Sequence, residues 1–101
     1  MTNDDVTNSI EGFLHQGVHN LKTWTEQFNA ICNGHKTHEV RKNDRGFKVG
    51  DILHLHEWDP QTEKYTGRWT SVRVNYISEG GSFGLPSDLC VMSIGPTNTA
   101  W

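Results

Sequence analysis

The spacing of apolar residues changes character near residue 34. Between Asp4 and Gln16, Val6, Ile10, Phe13 and Leu14 recur at helical spacing, and Gly17 is the stop. Val18 to Lys22 reads as a short strand. Thr23 and Glu26 then form a capping box. Trp24, Phe28 and Ile31 share one face of a second helix, which Gly34 ends. Downstream, the period falls to two. His35 to Lys42 lacks a helical stripe and reads as a strand, followed by the turn Asn43-Asp44-Arg45-Gly46. From Asp51 to Trp58, Leu53 and Leu55 face one way while Ile52, His54, His56 and Trp58 face the other. Asp59 to Thr62 is a turn. From Arg68 to Ile77, Val72, Val74 and Tyr76 alternate with Ser71, Arg73 and Asn75. Gly80-Gly81-Ser82 is a loop, and Leu89 to Ile94 is a last apolar strand. Short strands after one or two helices predict an α+β, mainly β domain whose five-stranded mixed sheet closes into a barrel.

At 101 residues the chain has room for one domain. The pattern divides it into a helical extension over 1–18, a folded domain over 19–94 and a flexible tail over 95–101. No apolar run is long enough to span a membrane, and the acidic start Met1-Thr2-Asn3-Asp4-Asp5 is no signal peptide, so a cytoplasmic protein without membrane contact is expected. Cys32 and Cys90 sit among apolar neighbours and read as reduced, buried thiols.

A net charge of −3 argues against a protein that coats nucleic acid without preference. Its distribution is uneven. Residues 35–48 carry five basic side chains against two acidic ones, and residues 51–63 carry Asp51, Glu57, Asp59 and Glu63 with no base. The first segment supplies a local patch for a phosphate. Within it, Glu39 and Arg41 share a strand face, opposite Lys36, His38 and Val40. The simple reading is a structural ion pair. The functional one is a carboxylate that aims a guanidinium fork at a phosphate or base edge. The histidine pairs His54/His56, His15/His19 and His35/His38 each lack a third ligand at fixed spacing, so no metal is expected. No cofactor motif is present. Trp24 and Phe28 are expected in the core, and Trp58, Tyr65 and Trp69 are expected to pack across a hairpin, the exposed alternative being a stack on a base.

The run Gly34-x-Lys36-Thr37-x-Glu39-x-Arg41 resembles the motif of the ASCH domain, a branch of the PUA-like superfamily. Adding His19-x-Leu21-Lys22-x-Trp24, Phe28, the stretch from Lys36 to Asp51 and Tyr65-Thr66-Gly67-Arg68, the chain is similar to a small ASCH-like family of unknown function in bacteria and their phages. The resemblance covers residues 19–94. It implies a PUA-like barrel with a cleft beside the motif that binds RNA, a nucleotide or a modified nucleoside. The residues it points to are Lys22, Trp24, Lys36, Glu39, Arg41, Asn43 and Arg45. Lys36 and Arg41 would take phosphate or carbonyl oxygens, Glu39 would orient Arg41 or accept from a base amine, and Trp24 would form a wall.

One ASCH branch is an amidohydrolase acting on N4-acetylcytidine, which makes that activity the first alternative, with Lys36 and Glu39 as its catalytic groups. Its pattern has a threonine three positions after the lysine, where Glu39 stands here, and a late helical insertion, where this chain has only Glu79 to Asp88. The second alternative is a phage or bacterial protein-interaction module. The acidic segment 51–63 and the N-terminal helix motivate that reading.

Overall fold

A computed structural model describes residues 17–97. The helix expected over 4–16 and the end of the tail lie outside the described residues. Within them the order is β1 (Val18–Trp24), α1 (Thr25–Cys32), β2 (His38–Lys42), β3 (Ile52–Asp59), β4 (Lys64–Glu79) and β5 (Leu89–Gly95). The strands form one mixed sheet in the order β1-β3-β4-β5-β2, curled into a half-barrel. β1 pairs parallel with β3, and the other neighbours are antiparallel. No helix among the described residues is long and apolar enough to cross a membrane.

Alternation on β3 and β4 builds the core as the pattern requires. Leu53, Leu55, Val72 and Val74 point inward and meet Leu21, Met92 and Ile94, with Ile31 of α1 and Phe47 closing over them. Tyr76 departs from the expectation. The register of β4 against β5 shifts between Val74 and Tyr76. That bulge reverses the faces beyond it, so Tyr76 is exposed and Ile77 packs against the core instead.

The start of α1 also differs. Thr23 is no cap: it stays in β1 and is buried, and the N-cap position falls to Trp24, which makes no side-chain capping bond. The strand wins because Thr23 takes a hydrogen bond from Arg41 across the fold. Trp24 is therefore exposed rather than part of the core, while Phe28 is buried. Cys32, at the outer end of α1, is exposed; Cys90 is buried, and burial pushes its thiol pKa up.

Gly34 ends the helix region in the left-handed conformation, φ +82°, that residues with a Cβ avoid. The turn it permits lets Lys36 N–H bond to Ala30 O at 2.9 Å. Residues 35–37 are consumed by this turn, so β2 starts only at His38. At the other side of the fold, Asp51 accepts from Gly17 N–H, Lys48 N–H and His19 Nε2 at 3.1, 2.9 and 2.8 Å, tying the loop before β3 to the start of β1.

Candidate functional site

β1 and β2 are the two edges of the sheet, and the curl brings them to face each other without backbone pairing. Side chains alone bridge this seam. Glu39 of β2 is 2% exposed, and its Oε2 accepts from Arg41 Nε at 2.7 Å. Arg41 then reaches across to donate from Nη2 to Thr23 Oγ1 of β1 at 3.2 Å. These bonds use two of its five N–H donors, and the rest have no protein acceptor among the described residues. Lys36 sits before the strand and is not bound by its alternation. It swings to the Glu39 side, opposite to the sequence expectation, and places Nζ 3.5 Å from Glu39 Oε1. That oxygen is buried and has no hydrogen-bond partner. An unmet buried acceptor costs about 1–3 kcal/mol, so it favours any donor that can reach it.

Above this cluster lies a cleft of about 430 Å³, within the range of small-ligand sites. Lys22, Trp24, Gln27 and His38 complete its walls around Lys36, Glu39 and Arg41. Five of the seven residues expected at a site are thus assembled. The other two lie elsewhere. Asn43 donates to Glu79 Oε2 at 3.0 Å, beside the β4–β5 loop. Arg45 donates to Asn20 O at 3.0 Å and so covers a carbonyl on the free edge of β1. Glu79, engaged with Asn43, does not line the cleft.

Another buried carboxylate escaped the motif reading. Glu57 is 4% exposed and its Oε1 accepts from Thr66 Oγ1 at 2.6 Å and Arg68 Nε at 2.7 Å. The Arg68 bond first, then that of Thr66, holds its carboxyl at about 2, well below the ordinary range. Arg68 also donates to Asn29 Oδ1 at 2.7 Å and lies over the Phe28 ring at 5.0 Å, which pins α1 to the sheet. The signal was in the alternation: Glu57 continues the inward parity of Leu53 and Leu55, and a carboxylate on that face needs a partner. The acidic segment 51–63 consequently loses two of its four charges to the interior, Asp51 and Glu57.

The outward face of β1, β3 and β4 carries the aromatics. Trp24 and Trp58 stand 6.1 Å apart, with Lys22 Nζ 4.3 Å above the Trp58 ring. His54 and His56 flank Trp69 at 5.3 and 6.2 Å, and His56 Nε2 bonds to Asn20 Oδ1 at 2.9 Å. Trp58 pairs across the hairpin with Tyr65 and His56 with Trp69, yet Tyr65 and Trp69 remain more than half exposed.

The family model for a domain of unknown function, DUF3850, matches residues 18–94. The chain belongs to the DUF3850 family. Its DUF3850 region holds the described sheet up to Ile94, including the buried carboxylates Glu39, Asp51 and Glu57. It is also similar to an uncharacterized 12.9 kDa protein in the GpA 3′ region of Escherichia phage P2, at 34% identity over 62 residues. That match spans 61% of this chain and 55% of the phage protein, so the chain spans little more than half the length of that relative.

Proposed function

We propose that this DUF3850 domain is an ASCH/PUA-like module that binds RNA, a nucleotide or a modified nucleoside in the seam cleft. The observation that carries the reading is Glu39. Its buried carboxylate grips Arg41 through one oxygen and keeps the other without a donor, at the floor of an open cleft. Arg41 keeps N–H donors for phosphate or carbonyl oxygens, in the geometry that suits bidentate recognition. Glu39 Oε1 is matched by the exocyclic amine of a base, once Lys36 moves aside to the same ligand's anionic group. Trp24 supplies the flat wall against which a base stacks. The resemblance of Lys36-Thr37-x-Glu39-x-Arg41 to the ASCH motif supports the same assignment.

The test is an NMR titration of the intact chain with nucleotides and short RNAs at two salt concentrations. Saturable shifts centred on Lys36, Glu39 and Arg41 are expected, with a shallow salt dependence because few phosphates are engaged. Arg41→Ala should weaken binding at least tenfold. Lys42→Ala, on the opposite strand face, should change it by less than twofold. Absence of saturable shifts, or equal effects of the two substitutions, would overturn the reading.

A further inference from the structure

The seam cleft is not the end of the surface suited to bases. Lys22 and Trp24 line it and also belong to the outward face of β1. Lys22 further lines a second cleft of about 410 Å³ with Asn20, His56, Tyr65 and the Glu57–Arg68 pair, so the two depressions meet at one lysine. Beyond it stands Trp69, itself 57% exposed.

The chemistry of this face is one-sided. The residues that β1 and β3 turn outward, and their partners Tyr65, Trp69, Ser71 and Arg73 on β4, include no carboxylate. This holds in a chain whose net charge is −3. Of the two carboxylates of β3, Glu57 is turned inward and neutralised by Arg68, and Asp59 ends the strand and accepts from Gln61 N–H. What remains is flat rings, imidazoles and cations, with Val18 and Ile52 as a paired aliphatic contact at one end, a set that suits the ring faces and phosphates of a single strand. Lys22 rests on Trp58 when nothing else does. A base that takes the ring face would free that ammonium for the adjoining phosphate.

We propose that the outward face of β1, β3 and β4 is a stacking platform continuous with the seam cleft, so that the ligand is a single-stranded oligonucleotide rather than a mononucleotide. The seam end of this path rests on the function proposed above, and the platform adds contacts of its own. Trp24 and Trp69 lie two strands apart, roughly 10 Å in the plane of the sheet, so one base does not touch both. Successive bases of one strand do, while a duplex hides its base faces within its own stack.

The experiment titrates the intact chain with 5′-CMP and with a uridine octanucleotide, reading tryptophan fluorescence and NMR shifts, and sediments the free protein alongside. The octamer should bind at least tenfold tighter than 5′-CMP. Trp69→Ala should weaken the octamer roughly 5- to 150-fold, the loss of one stacked base, and bring the two affinities together. Tyr76→Ala, an exposed tyrosine of β4 outside the platform, should leave the octamer affinity as it was. Equal binding of octamer and 5′-CMP, both weakened by Arg41→Ala, would retain the seam and overturn the platform. An octamer affinity that responds to Trp69→Ala but not to Arg41→Ala would support the platform and overturn the seam reading. A dimer that Trp69→Ala dissociates would mean that a second copy covers the face, against the proposal. No saturable octamer binding would overturn both.

Discussion

Arg68 Nε donates to the buried Glu57 Oε1 at 2.7 Å while the same guanidinium lies over the ring of Phe28. One arginine therefore neutralises the carboxylate that the inward face of β3 presents and fastens the helix to the sheet. The arrangement sets a pH dependence. The folded-state pKa of Glu57, about 2, lies below the ordinary 4.5, so the unfolded chain binds the proton more readily between these values. The contribution to stability is complete above the ordinary pKa and is lost as pH falls toward 2. Thermal unfolding followed from pH 6 to pH 2 should show a midpoint that drops steeply below pH 4.5. In Glu57→Gln the midpoint at pH 7 should be lower by roughly 4–8 °C, and that part of the acid slope should be absent.

Val74 has no exposed surface and faces Leu53 and Met92 within the core. Val74→Asp should abolish cooperative unfolding, because a lone buried carboxylate costs several kcal/mol, comparable to the whole stability of a small domain. Urea titration monitored by circular dichroism measures this. A cooperative transition at the unchanged midpoint would contradict the packing.

Asp51 collects two backbone amides and His19. Asp51→Ala leaves the two amides without their acceptor and should destabilise the domain by about 3 kcal/mol. Hydrogen exchange should then accelerate first at Gly17 and Lys48, ahead of the core strands, because the latch is local.

N4-acetylcytidine incubated with the chain should remain uncleaved in a chromatographic assay. Glu39 stands at the position where the hydrolase pattern has its threonine, and Glu79 is engaged by Asn43 away from Lys36. Turnover that Lys36→Ala removes would reverse this expectation.

The inward stripes of β3 and β4 were legible because the alternation of Leu53, Leu55, Val72 and Val74 is determined by the strand period itself. The Glu39–Arg41 pair was legible for a related reason: the two residues are two apart on one strand and must share a face. Lys36 was not, since its direction depends on the Gly34 turn, which removes it from the strand. Thr23 misled because a capping signal is local, whereas its hydrogen bond comes from Arg41, 18 positions away. Tyr76 misled because a one-residue bulge reverses parity and leaves no mark in the apolar pattern. Asn43 and Arg45 lie within the motif run yet point to other partners, as neighbours in a turn do.

The strand order has a consequence for how the molecule assembles. β2 pairs with β5 and with no other strand among those described. During synthesis Glu39 and Arg41 emerge early but have no sheet to lie on until residues 89–95 follow, whereas β1, β3 and β4 can pair before then. The seam therefore closes through pairings between residues 47 to 55 positions apart, contacts of the long-range kind that slow folding. The cleft exists only in chains that have completed β5.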